Sequence, residues 1–523
     1  MRIVTAAREW MGRALSFPVV LGAMIVGATY AMVLSFRVDP DFWWHLKTGE
    51  LILATHRWQT VDSYSYTTAG TPWMSAEWLG DVLFALAWQW GGLRGLQALL
   101  VVLASLVTLS IYGLATLRSG SAKAAFVTVA VLLGLMRVSF NLRPQMIGYL
   151  FLILTLIALE RFRQGRQRAV WLLPPLFLIW INAHGSWPIG LGAIAVFMAA
   201  GILPVPFEGL EVRRWTRPER VQLEIVFLLC LLVLPLTPYG AKLALYPFTV
   251  ASSLPVSVAY IAEWQPLPFD DTTGQFFLVA FFGLVLAQLL FRFSWRPDEI
   301  LLLFFGAVMA CMHRRFLLLF IPFYAPVLAT MLARWFRDGD YTLRGSRALI
   351  NATIMTAVAG GMVLSFPARA AMESAVAEQF PVAALDHLRR NPAPAPLLNA
   401  YDFGGYMVWA GHDVFIDGRS ELFEVAGVLA DYVHITKLKP GALKVLANYG
   451  VRACLIHPDE PLATLLASQP DWHSVYSDAR STLFVKRQPA ERAHPDPEVP
   501  RPVLEPPATE ASRRRQSADA HQQ

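Results

Sequence analysis

Eleven apolar runs alternate with short polar segments over the first 366 residues, at roughly 18–36, 94–117, 122–138, 146–159, 169–182, 186–203, 221–236, 274–291, 298–311, 316–333 and 348–366. A helix needs about 20 apolar residues to cross a hydrocarbon core ~30 Å thick, so the pattern predicts an α-helical polytopic membrane protein of about eleven spans. After Pro367 the pattern changes. "PVAALDHLRRN" has helical spacing, "VFIDGR" and "VRACLI" read as short buried strands, "GALKVLANYG" as a helix ending on Gly450, and "HSVYSDARSTLFVKR" as a closing hairpin. The chain therefore divides into a membrane domain over 1–369, a small α/β domain over 370–487 and a tail over 488–523. The tail is charged, Pro-rich and nearly free of large apolar residues, a composition that predicts disorder.

Composition agrees with the hydropathy pattern. Of 523 residues, 55% are apolar and only 16% charged, far more apolar than a soluble chain of this length requires. The net charge of +6 is read as a record of topology and not of a nucleic-acid partner. With the N-terminus cytoplasmic, the inner segments hold 19 Lys and Arg residues and the outer loops 8, so this orientation is preferred. Arg2, Arg8 and Arg13 precede the first run with no small-residue cleavage pattern after it, which predicts an uncleaved first span. An odd number of spans then places 370–487 outside the cytoplasm, in the periplasm of a bacterial inner membrane. The first outer loop, 37–93, is long, and its second half, "SAEWLGDVLFALAWQWGGL", is amphipathic enough to lie along the interface. Cys230, Cys311 and Cys454 have no metal-ligand spacing.

Given this topology, five polar segments fall on the outer side: "DPDFWWHL" (39–46), "NLRPQ" (141–145), "NAHGSW" (182–187), "AEWQP" (262–266) and "MHRRF" (312–316). Arginines there run against the positive-inside bias, so Arg143, Arg314 and Arg315 need another reason to be present. Guanidinium groups offer paired donors to phosphate oxygens, and a carboxylate beside them can act as general base on an acceptor hydroxyl. The combination points to sugar transfer from a polyprenyl-phosphate carrier. The candidate catalytic residues are Asp39, Asp41, His45 and Glu263, and the candidate carrier-phosphate ligands are Arg143, His313, Arg314 and Arg315. Trp43, Trp44, Gln145 and His184 are candidates for lining the site.

Each has a plainer alternative. Asp39 and Asp41 precede "FWWHLKTGELIL" and have the chemistry of helix N-caps. Trp43 and Trp44 read as interfacial anchors, His45 and His184 as hydrogen-bonded structural histidines, and the arginines as headgroup contacts. Asp402, Asp417, Arg419 and Glu421 sit in turns of the outer domain, where such charges are usually structural.

The acidic pair directly after the first span, the long first outer loop with an interfacial helix, and about a dozen spans followed by an outer domain resemble the GT-C superfamily of membrane glycosyltransferases. That superfamily includes protein mannosyltransferases, the oligosaccharyltransferase catalytic subunit and bacterial aminoarabinose transferases. The resemblance covers the chain to about residue 487 as architecture and residues 37–45 as motif. It implies a polyprenyl-phosphate-linked sugar donor, membrane lipids around the spans, and an inverting transfer. It also implies that Asp39 or Asp41 is the base or, in metal-dependent members, a ligand for a divalent ion such as Mg or Mn, for which Asp41 is the candidate. The sugar and the acceptor are not legible.

The rival reading is non-enzymatic, a transporter or scaffold for envelope polysaccharide assembly. A transporter is expected to carry charges deep within several spans. Here the span interiors are nearly charge-free apart from Glu224, and the polar groups gather at one mouth.

Overall fold

A helix stands at each of the eleven apolar runs in the computed structural model, which describes residue 12 and residues 14–35, 37–202, 209–251, 254–336 and 345–487. Arg2, Arg8, Arg13, Arg337, Arg344 and the tail 488–523 lie outside the described residues. In chain order the helices are α1 (Phe17–Val33), α2 (Phe42–Thr55), α3 (Trp78–Ser119), α4 (Ala122–Met136), α5 (Gln145–Arg163), α6 (Leu173–Ala183), α7 (Trp187–Ala200), α8 (Arg217–Leu232), α9 (Ala241–Ala251), α10 (Pro255–Tyr260), α11 (Thr272–Phe291), α12 (Pro297–Met312), α13 (Leu317–Leu332) and α14 (Gly345–Leu364). Among the described residues, six helices are long and apolar enough to cross a membrane: Trp78–Ser119, Ala122–Ser139, Gln145–Arg163, Thr272–Phe291, Arg314–Leu332 and Arg347–Leu364.

Local chemistry sets where these helices begin and bend. The Ser121 hydroxyl accepts from Ala124 N, Asp271 accepts from Gly274 N, and Thr216 with Glu219 closes a capping box on α8. Helix α3 breaks at Gly91 and Gly92, where Gly92 has φ +54° and ψ −136°, a conformation that side-chain-bearing residues avoid. The break divides the amphipathic first half of the helix from its apolar second half.

One end of the bundle is held by an ionic network. Arg118 pairs with Glu299 at 2.5 Å, Arg296 with Glu160 at 2.7 Å and Arg163 with Asp298 at 2.7 Å. These groups sit at the last turns of α3 and α5 and the first turn of α12. Arginines read as topology markers thus also tie three helices together.

Beyond α14 the chain forms helices and a four-stranded sheet, with β1 (Leu397–Asn399), β2 (Ala453–Ile456), β3 (Trp472–Ser477) and β4 (Thr482–Lys486) in the order β1-β2-β4-β3. β1 and β2 are parallel and β2 and β4 antiparallel. The expected strand at "VFIDGR" is not in the sheet. Val414 forms a single parallel bridge with Ser65 of the first loop, and its N–H and C=O bond to Tyr64 and Tyr66. What holds the rest of that segment is charge: Arg419, fully buried, donates to both Asp417 oxygens at 2.8 and 2.6 Å and to Asp62 at 2.6 Å.

Trp43 fastens this region to the bundle. It is 1% exposed and packs on Tyr406, Trp409 and Phe380 with ring centroids 4.9, 4.8 and 5.7 Å away. The expectation of an interfacial anchor or site-lining tryptophan fails for Trp43, because the outer helices cover it and turn it into core.

Candidate functional site

The five polar segments meet around a cavity of about 830 Å³. Its polar wall includes Asp41, His45, Arg143, Gln145, His184, Glu263, His313 and Arg315, with Trp44 beside them. Ile189, Phe248, Val250, Leu254 and Val258 give it an apolar side. Glu77, Tyr246, Gly418 and Glu421 complete the rim of charged and small residues.

Arg143 is the centre of the polar wall. Its Nε lies 2.7 Å from Asp39 Oδ1, one terminal nitrogen donates to Asp41 Oδ2 at 2.7 Å and the other to Glu263 Oε2 at 2.5 Å. Pro144 begins the α5 turn beside it and fixes the local backbone, while the carboxylates arrive from segments 102 and 120 residues away. Three carboxylates on one guanidinium raise the Arg143 pKa well above its ordinary value despite burial. Burial pushes Asp41 up to about 7, against the pull of Arg143. For Glu263 burial is outweighed by Arg143 and Arg315, and its pKa lies below the ordinary value.

Asp41 does occupy the N-cap position of α2, but its carboxylate makes no capping bond. The side chain is spent on Arg143 instead. Asp39 is behind the wall, where it also accepts from Asp41 N and Asn141 Nδ2.

A second chain of polar groups, His45, Asp81, Glu77 and His184, adjoins the cavity. His45 Nδ1 lies 2.6 Å from Asp81 Oδ1, and Ser75 donates to Asp81 Oδ2 at 2.5 Å. A carboxylate accepts only, so His45 carries its proton on Nδ1 and turns Nε2 toward Glu77, 3.6 Å away. His184 Nε2 approaches the other Glu77 oxygen at 3.1 Å. At His184 Nδ1 the Ser186 backbone N–H donates at 3.2 Å and the Ser186 hydroxyl lies at 2.7 Å, while that hydroxyl accepts from Trp180 Nε1. His184 is therefore protonated on Nε2, the nitrogen that faces Glu77. Burial raises Glu77 to about 7 and lowers His184 to about 3. In His45 burial is overcome by Asp81, and the pKa is raised.

The remaining predicted residues separate. Arg315 stacks over Trp264 at 4.2 Å and has only a 3.4 Å approach to Glu263 Oε1. Its carbonyl is fixed by Tyr149 Oη at 2.8 Å and by Gln145 Nε2 at 3.1 Å, so Gln145 positions this corner. His313 Nδ1 donates to the Trp264 carbonyl at 2.5 Å, leaving Nε2 for the cavity it lines. Trp44 stacks on His45 with centroids 3.6 Å apart. Arg314 is not on the cavity wall; its N–H bonds to the Gln265 carbonyl and the 3₁₀ turn directs Arg315 inward in its place. Asp417 and Arg419 are structural, whereas Glu421 reaches the cavity and accepts from Tyr246 Oη at 2.9 Å.

Sequence reading missed Glu77 and Asp81. Their four-residue spacing at the start of α3 would have put both carboxylates on one helical face, a signal hidden inside a segment read only as interfacial.

The residues do not form a cage for a divalent ion. Among the described residues no group of three or more His, Cys, Asp and Glu side chains is arranged to hold one. The carboxylates nearest to such a set, Asp39, Asp41 and Glu263, surround a guanidinium.

The architecture matches solved membrane enzymes. The oligosaccharyltransferase of Archaeoglobus fulgidus, tethered with an acceptor peptide containing the NVT sequon, superposes with a TM-score of 0.52 at 12% identity, over 89% of this chain and 74% of that one. At this identity the likeness is one of fold. A second structure of the A. fulgidus enzyme, in complex with an inhibitory peptide and a dolichol-phosphate, shares the fold with a TM-score of 0.51 at 13% identity, over 86% of this chain and 70% of that one. ArnT from Cupriavidus metallidurans, bound to undecaprenyl phosphate, gives 0.48 at 15% identity, over 91% and 98% of the two chains. No protein-family model matches the sequence, and no curated protein is recognisably similar to it.

Proposed function

We propose that this protein transfers a sugar from a polyprenyl-phosphate carrier to an envelope lipid, glycan or protein acceptor at the outer face of a bacterial inner membrane, to which eleven spans deliver the cavity and the 370–487 domain. The observation that carries the reading is the cavity itself, where the Arg143 cluster faces an apolar side formed by α7, α9 and α10. An amphiphile with a phosphate between a sugar and a prenyl chain matches that division of chemistry. The dolichol-phosphate in the A. fulgidus structure of the same fold supports the same class of donor.

In the proposed reaction the acceptor oxygen attacks the anomeric carbon, the bond from that carbon to the phosphate oxygen breaks, and the electron pair leaves on the phosphate. Asp41 takes the hydroxyl proton; a carboxylate with a pKa of about 7 is matched to that task near neutral pH. Arg315 and His313 receive the phosphate, because the Arg143 charge is already shared among three carboxylates. Inversion at the anomeric carbon follows from the GT-C resemblance.

The test is transfer of labelled sugar from a pool of polyprenyl-phosphate donors by purified protein in lipid. Asp41→Asn is expected to abolish transfer and Asp39→Asn to weaken it. No transfer from any donor by folded wild-type protein would sink the reading.

A further inference from the structure

We infer that Arg143 stands in the place of a divalent cation, so that this site works with a guanidinium where other carboxylate-walled sites use a metal. The inference deepens the transferase reading, since the wall is the one assigned there to the reacting groups. Its test reads metal binding and is independent of any donor or acceptor.

The argument begins with how the three carboxylates are brought together. Asp39 and Asp41 come from the turn before α2, and Glu263 from the 3₁₀ turn between α10 and α11. Nothing in local structure requires these segments to converge. They converge on one side chain, which meets each through a different nitrogen at 2.5–2.7 Å. A hard divalent cation collects carboxylate oxygens from separate segments in the same manner. Arginine differs in carrying one charge, spreading it over a plane and fixing each partner's direction.

Charge balance agrees with this geometry. Two guanidinium groups, Arg143 and Arg315, face Asp39, Asp41 and Glu263. The two cations offset all but one of the three carboxylate charges before any ion enters. A divalent ion would have to displace Arg143 from oxygens that already hold it. The guanidinium thus does two things expected of a metal: it compensates the carboxylates, and it holds Asp41 in one orientation beside the incoming hydroxyl.

Manganese titration followed by electron paramagnetic resonance tests this on the full chain in nanodiscs, for wild type, Asp41→Asn, Arg143→Gln and Arg143→Lys. Wild type is expected to take up no stoichiometric Mn²⁺. Arg143→Gln leaves the carboxylates uncompensated and free to close inward; it is expected to gain one site, at least tenfold tighter than any in wild type. Arg143→Lys, which keeps a cation, is expected to gain none and serves as the folded control. One equivalent of Mn²⁺ bound by wild type and lost in Asp41→Asn would overturn the inference. A folded Arg143→Gln with no gain would also overturn it, by showing that the three carboxylates do not form a cation's place. Either result leaves the transfer assay unaffected as a test of function.

Discussion

His45 Nδ1 lies 2.6 Å from Asp81 Oδ1, with the imidazole 3% exposed and the carboxylate fully buried. Burial opposes the charged imidazole, yet Asp81, helped by Glu77 and Asp41, raises the His45 pKa above 6.5. A pKa raised by folding gives stability that is complete below about 6.5 and is lost as pH rises through the folded value. Asp81→Asn should therefore lower the melting temperature most at pH 5.5, by the equivalent of about 2 kcal/mol, and least at pH 8.5. A gap between wild type and variant that does not change with pH would reject the charged pair.

Glu77 makes the opposite variant informative. Burial raises its pKa from 4.5 to about 7, with His45 and Arg315 lowering it and Asp81 and Glu421 raising it; the His184 imidazole also faces it. The folded state thus holds the proton more tightly than the unfolded chain. Stability linked to Glu77 is present below about 4.5 and declines until the pH passes about 7. Glu77→Gln cannot titrate, so it should gain on wild type across this window, by up to about 3 kcal/mol. Melting curves from pH 4 to 8 decide the matter; a constant offset between the two proteins would contradict the shift.

Much of this architecture is legible in the sequence because its signals are local. Apolar runs give the helices, and the hairpin of β3 and β4 follows from alternation and a polar turn. The site is legible only as a set of segments, since topology places five polar stretches at one end without saying which atoms meet. Arg143 was expected to hold phosphate, but partners more than 100 residues away use its donors. "VFIDGR" has strand composition, yet Asp62, 357 residues from Arg419, holds it in a loop. Glu77 and Asp81 looked like the polar face of an interfacial helix because burial by distant segments leaves no local mark.

Arg419 is expected to be the most sensitive structural residue of the outer domain. It is 1% exposed, bonded to Asp417 and Asp62, and lies over the rings of Tyr64 and Trp73 at 4.9 and 4.8 Å. Arg419→Met leaves two buried carboxylates without their cation, which costs about 3–5 kcal/mol. Arg419→Lys should recover little, because an ammonium cannot span both carboxylates as the fork does. Thermal unfolding in detergent measures this, and a loss below about 0.5 kcal/mol in Arg419→Met, the range of an ordinary surface substitution, would show that the clamp does not stabilise the fold.

Gly418 offers a way to disturb Asp41 without altering its chemistry. A Cβ at Gly418 would overlap Asp41 Oδ1, and both residues line the cavity. The Gly418 backbone does not adopt a positive φ, so alanine fits it and the clash falls on the movable end of a side chain. Gly418→Ala should still fold, because Arg143 keeps Asp39 and Glu263, while the Asp41 carboxylate turns away from Arg143. On the proposed reaction, transfer then falls at least about tenfold, equivalent to about 1.4 kcal/mol in the barrier. Loss of transfer in folded Gly418→Ala would place the defect at Asp41. Full activity in Gly418→Ala would mean that the orientation of Asp41 does not matter to the reaction, and would remove it as the proton acceptor.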